Sequence, residues 1–232
     1  MRAKLMLILL LGLVVLTAGV RPILGDDLGA GSQNSVDQLE IKLKSQYKEI
    51  EKIFASPPHG SQLSPSGYSR ALREWQDDLA QSFARAATTV EEIIALNPPN
   101  PEMWQERRDT LRLYAGPVSS PGARTIFGAG ELKKSARLLE TPLAAYTDEA
   151  RAAKVHGDVR LRMVLASDGT VKYVFPIKSL GHGLTASAME AARRLRFEPA
   201  LRNGATASQF ITLVYEFEKG RARKPYIPRT VF

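Results

Sequence analysis

Apolar positions along the chain fall into three regimes: a solid run, three helical stripes, and a stretch of alternation. The solid run is Leu5 to Val20, preceded by Arg2 and Lys4. A positive start followed by an unbroken apolar segment is what the secretion machinery reads. The run is slightly long for the apolar part of a signal peptide and slightly short for a membrane span. Arg21 and Pro22 interrupt its extension to Leu24. Residues 1–25 are therefore expected to be a signal peptide or an N-terminal membrane anchor, and the rest of the chain to be exported.

Residues 26–35, DDLGAGSQNS, have the composition of a flexible linker. Stripes follow. Val36, Leu39, Leu43, Tyr47, Ile50 and Phe54 step by three and four, as one face of a helix requires, and Pro57–Pro58 ends it. Ser64–Pro65 is a helix start, because serine caps free amides and proline has none to lose. Tyr68, Leu72, Trp75, Leu79, Phe83, Ala86, Val90 and Ile93 continue that helix to Asn97–Pro98–Pro99. A third helix starts at Asn100–Pro101, turns Trp104, Leu111 and Tyr114 inward, and stops at Gly116. Residues 36–115 thus predict a small antiparallel helical module. Residues 116–139 are expected to be a linker, with 116–130 rich in Gly, Pro and Ser. Leu132–Leu139 fits a short helix or an extended lead-in.

The period then changes. Thr147, Asp148 and Glu149 start a short helix, a capping oxygen and two acids at its positive end. Val159, Leu161, Met163 and Leu165 alternate with Asp158, Arg160 and Arg162, giving a half-buried strand. Asp168–Gly169 turns the chain, and Val171–Ser179 returns as a strand whose Pro176 argues for an edge or a bulge. Leu184, Ala188, Ala192 and Leu195 define a second helix, with Phe197 expected to cap the core. After the Asn203–Gly204 turn, Ala207–Phe217 is the last strand. Residues 219–232 are expected to be an irregular basic tail. The fold class is α+β: helix–strand–strand–helix–strand, with both helices on one face of a three-stranded antiparallel sheet, preceded by the all-α module.

The formal charge of +8 is uneven. Residues 147–232 hold 15 basic and 8 acidic residues, net +7. Arg193, Arg194, Arg196, Arg221, Arg223 and Lys224 are candidates for contact with an anionic surface, against the plainer expectation of a solvated face. Export and the lack of interleaved stacking aromatics argue against nucleic acid. Cysteine is absent and histidines number three, so no local metal motif exists. No nucleophile elbow, phosphate loop or dinucleotide fingerprint is present. Asp77–Asp78 and Glu91–Glu92 are adjacent on helices and point apart, so neither is an acid/base pair. No enzyme and no cofactor are expected.

Several pieces of this second half occur in an order and spacing that resemble the C-terminal domain of the TonB energy-transducer family. They are Tyr146–Arg151, Gly157–Leu161, Asp168–Val171, Ser179–His182 with Leu184, and above all Ala191–Ala200 before Asn203–Gly204. The resemblance covers residues 140–218. It implies a periplasmic protein, soluble or anchored in the inner membrane by residues 5–24. It also implies envelope partners, an outer-membrane receptor or motor subunits, with the last strand binding a short extended segment. Two features depart from the family. Leu5–Val20 lacks the polar Ser and His of motor-coupled members, and a helical module stands where they carry a Pro-rich rod.

The expected activity is therefore non-catalytic binding of partner proteins by strand addition, in energy-coupled transport across the outer membrane. The expected acceptor is the strand edge Ser208, Gln209, Phe210, Ile211, Thr212, Leu213, Val214 and Tyr215. If the hairpin pairs on one side of this strand, the other side is free to pair with an incoming segment. Thr212 alternates with Ile211 and Leu213 and is expected to face away from the core. The alternative is a periplasmic scaffold that docks to its own helical module or, as a homodimer, to a second copy.

Overall fold

The computed structural model describes residues 27–60, 64–116 and 126–228. The expected signal or anchor at 1–25 lies outside these residues, as does 117–125 of the expected linker. Among the described residues no helix is long and apolar enough to cross a membrane.

Three helices come first: α1 (Asp27–Ala55), α2 (Pro65–Ala95) and α3 (Pro101–Ala115). Ser64 accepts the Gly67 amide at 3.2 Å, and Pro65 opens α2 as expected. Asn100, in the left-handed region at φ 58°, turns the chain into α3. The apolar stripes of the three helices meet. Ile50, Phe83, Val90, Ile93, Trp104 and Leu111 are buried together, and the Trp75 indole donates to the Ile53 carbonyl at 2.8 Å. The expected linker at 26–35 is instead helical from Asp27. A helix already anchored by Val36 and Leu43 extends at low cost, since each further residue adds a hydrogen bond without a new nucleus. The Gln33 side chain also donates to Asp37 at 2.9 Å, one turn on.

The second half contains β1 (Ile126–Phe127), β2 (Arg137–Glu140), α4 (Asp148–Ala152), β3 (Gly157–Leu165) and β4 (Val171–Lys178). These are followed by α5 (Leu184–Arg193), β5 (Arg196–Glu198), β6 (Ala200–Arg202), β7 (Ala205–Glu218) and β8 (Arg221–Ala222). Strand β3 lies between β7 and β4 and runs antiparallel to both. The strand count differs, because short strands flank these three. β2 pairs with β5, and β1, β6 and β8 pair with β7. Residues 126–139 are therefore tied down rather than loose, and Leu132–Leu139 leads into strand, not helix. Asn203 and Gly204 sit at φ 51° and 82°, the mirror-image turn that a two-residue hairpin needs. Pro176 lies on the edge strand β4 beside register shifts of the β3–β4 ladder.

Thr147 accepts the Ala150 amide at 3.1 Å and donates to the His182 carbonyl at 2.6 Å, so one hydroxyl caps α4 and ties it to the turn before α5. Below α4 and α5, Val159, Leu161, Met163, Leu165, Ile211, Leu213, Tyr215 and Phe217 form one core with Leu184, Ala188 and Phe197. The opposite face is covered as well, by the helical module. Phe175 sits among Tyr47, Phe83 and Tyr114 with ring centroids 5.2, 5.0 and 6.1 Å away. The Tyr114 hydroxyl donates to the Tyr173 carbonyl at 2.8 Å, and Arg193 pairs with Glu106 at 3.2 Å. Helices thus cover both faces of the sheet, because Phe175, Ile177 and Phe210 leave an apolar patch on the face turned away from α5.

Candidate partner-strand interface

The acceptor edge is built on β7, and its geometry follows from strand alternation. β3 pairs with β7 in unbroken antiparallel register from Gly157↔Phe217 to Leu165↔Gln209. On the other side, Val214 and Tyr226 exchange both backbone bonds at 2.9 and 3.2 Å, and the Arg223 amide donates to the Glu216 carbonyl at 2.8 Å. The backbone groups of Val214 and Glu216 therefore point outward, and by alternation so do those of Thr212 and Phe210.

This outer side is not open along its length, as the sequence led one to expect. β6 covers Ala205–Ala207, β1 lies parallel beside Ser208 and Gln209, and β8 pairs with Phe217 and Glu218. The Val214–Tyr226 bridge sets a register that brings Pro228 opposite Thr212. The tail, expected to be irregular, is thus a strand-like strap along the edge. Only Phe210–Leu213 lacks a strand partner on this side among the described residues, and Pro228 has no amide to offer it. The reason is simple: an unpaired strand of this length is costly to leave exposed, and neighbouring segments of the same chain supply the nearest backbone. The strap is lightly held, since Tyr226 and Ile227 remain 45% and 39% exposed.

Thr212 does face away from the α5 core, yet it is only 5% exposed. It lines a cleft of about 460 Å³ between the C-terminal half of α1 and the sheet. The cleft is walled by Phe54, Ala55, Pro57, Ile177 and Pro228, and carries Lys48, Lys52, Arg160, Arg162, Lys178 and His59 against Glu51 as its acid. Asp158, at its edge, pairs with Arg160 at 2.8 Å and with Lys178. Partial burial pushes the Asp158 carboxyl up, but hydrogen bonds and charge from those two cations outweigh it and hold the carboxyl below its ordinary value. Burial lowers the Arg162 guanidinium, which lies over the Phe210 ring at 5.2 Å, and raises the neighbouring Tyr114 hydroxyl. Lys48 and Lys52 have no carboxylate partner among the described residues.

The basic residues singled out earlier are differently placed. Arg193, Arg194, Arg196 and Arg223 pair with Glu106, Glu190, Glu140 and Glu218. Arg221 and Lys224 are exposed on the strap. The cleft cations were passed over in sequence because Arg160 and Arg162 read as the wet half of an alternating strand. The available signal was the i, i+4 spacing of Lys48 and Lys52 on α1, but nothing in the sequence places that turn against β3. Among the described residues, no three His, Cys, Asp or Glu side chains cluster to hold a metal.

Residues 142–218 match the family described as Gram-negative bacterial TonB protein C-terminal. This segment is a TonB C-terminal domain. The match spans about a third of the chain and stops short of the helical module and of the strap. No curated protein matches the chain. TonB domains are non-enzymatic, protein-interacting parts of envelope proteins. In this chain the domain carries α4, α5 and the β7–β3–β4 sheet. Apart from β6, the features that cover its outer edge and second face, β1, the strap and the bundle, come from sequence outside the matched segment.

Proposed function

We propose that this is a non-catalytic envelope protein that binds an extended segment of a partner by strand exchange on the outer side of β7, over Ser208–Tyr215. Its setting is energy-coupled transport across the outer membrane. The observation that carries this reading is the state of that edge: a central strand satisfied on one side by its own domain and on the other by short pieces of the same chain. An incoming strand makes about five backbone bonds worth ~1 kcal/mol each and displaces the few that hold the strap, so binding is no tighter than micromolar. Such an affinity suits transient contact.

The scaffold alternative draws on the aromatic junction around Phe175, which docks the domain to its own helical module. The two readings separate in cells. A photoreactive phenylalanine analogue at Phe210, with Lys172 on the far edge as control, is expected to capture one contiguous segment of an envelope protein from the first position only. Capture spread evenly over both positions, or only of a second copy of this chain, overturns strand exchange in favour of the scaffold.

A further inference from the structure

The charge of the cleft beside β7 names the chemistry of the strand that belongs there. We infer that the segment exchanged onto β7 is acidic, with carboxylates at alternate positions that enter the cleft between α1 and the sheet. This rests on the strand-exchange reading above. Lys48 and Lys52 overhang the cleft from one face of α1, while Arg160 rises from β3 across the register from Val214, beside Thr212. Glu51 and the Asp158 carboxylate at the edge do not balance these three cations together with Lys178. The strap that now runs past the cleft puts only Pro228 into its lining and has no carboxylate side chain to offer it.

The resident strand therefore satisfies backbone groups of the edge and leaves the charge of the cleft uncompensated. A strand laid in its place sends every second side chain to the bundle face, as Thr212 does. A carboxylate there gains charge-assisted hydrogen bonds in a half-closed, aliphatic-walled space, and a lysine there is repelled. Electrostatic complementarity of this kind sets partner choice and speeds encounter more than it adds raw affinity. Charge thus favours exchange in one direction: an acidic strand gains at the cleft what the uncharged Pro228 of the strap does not supply.

The test uses the full chain and three labelled octapeptides of alternating Thr and Val, in which two same-face residues are Glu, Gln or Lys. Binding is read by fluorescence anisotropy, and occupancy of the edge by hydrogen exchange at the Thr212 amide. The Glu peptide is expected to bind about tenfold more tightly than the Gln peptide at low salt, the yield of a few half-exposed ion pairs. The Lys peptide should bind weakest. Thr212 protection should rise with the Glu peptide, and 0.5 M salt should narrow the gap. Lys48→Glu with Lys52→Glu, both exposed, should remove the Glu preference and raise Lys-peptide binding above that of the Glu peptide. Equal binding of Glu and Gln peptides overturns the acidic partner while leaving strand exchange standing. Glu-peptide binding without Thr212 protection, competed by polyglutamate, shows a plain anion site and overturns the proposal. No binding of any peptide, even to Tyr226→Pro, which cannot donate to Val214, overturns strand exchange and this inference together.

Discussion

On the face of the sheet under α5, Val159, Leu161, Met163, Leu165, Ile211, Leu213, Tyr215 and Phe217 interlock along the full length of β3 and β7. On the face under the helical module, the aromatic packing is confined to one end, where Phe175 and Phe210 meet Tyr47, Phe83 and Tyr114, and the other end is tied by the Ser179 hydroxyl donating to Glu51. The other end of that face carries Asp158, Arg160 and Lys178, and opens into the cleft. The first face is a domain's own core, and the second is a junction between two regions. The difference teaches where function can sit. A core packed end to end has no room to exchange partners, whereas a face covered over half its length keeps a polar, rearrangeable half.

Two aromatic truncations should separate the faces. Phe217→Ala removes a ring that is 1% exposed and stacked edge-on to Tyr146. It should cost about 4 kcal/mol in urea unfolding, with the whole domain affected. A loss below about 1 kcal/mol, the range of surface changes, would mean this core is not the one that holds the sheet. Phe175→Ala removes the ring at the centre of the junction and should cost about 3 kcal/mol, because the bundle and the sheet share the loss. Its signature is asymmetric: hydrogen exchange should accelerate in α1–α3 and β4 more than in β3 or β7. Uniform acceleration would show that the two regions unfold as one unit.

How much of this was readable beforehand follows the same division. The α5 face was legible in β3 because Val159, Leu161 and Met163 alternate with Asp158, Arg160 and Arg162, so Leu161 could be assigned a side without knowing its partner. Thr147 as a cap and Asn203–Gly204 as a turn were legible because each depends on its nearest neighbours in the chain. The junction was not, since Val174, Phe175 and Ile177 read as one returning strand and nothing local says that a second layer covers them. The strap was illegible for a similar reason. Arg221–Pro228 has the composition of a coil, and it becomes strand-like only because Val214 and Glu216 offer it backbone groups. The helical start at Asp27 was hidden by Gly and Ser, which a packed helix carries more easily than an isolated one.

Thr212 tests the polar half of the junction face directly. Its side chain points where alternation says, but into a covered, cation-lined space, so a lysine there meets Arg160 and Arg162 with little water. Thr212→Lys should cost about 2 kcal/mol, the usual scale for a partly desolvated charge without a partner. Thr212→Glu has the same bulk and the opposite sign. It should cost less than the lysine by about 1 kcal/mol or more, from the attraction of nearby cations at an effective dielectric near that of a protein surface. Equal costs would mean that volume, not charge, governs the cleft.

The smallest effect belongs to Asp158, which anchors Arg160 and Lys178 at the rim of that cleft. Its carboxyl is held below the ordinary value, with the two cations outweighing the opposing effect of burial. A depressed carboxyl contributes stability above its unfolded value, near 4, and that contribution is lost as pH falls through the lower folded value. Asp158→Asn should therefore be less stable than the native chain by about 1 kcal/mol at neutral pH, the upper end for an ion pair open to solvent. The gap should close as the pH drops below about 4, where the native carboxyl takes up its proton and the two chains become alike. Urea titrations at several pH values read this directly. A gap that stays constant down to pH 2.5 would show that Asp158 acts through shape and hydrogen bonding alone. The cations at the rim would then be held by the strand backbone rather than by their carboxylate, and would be free to turn toward an incoming acidic strand.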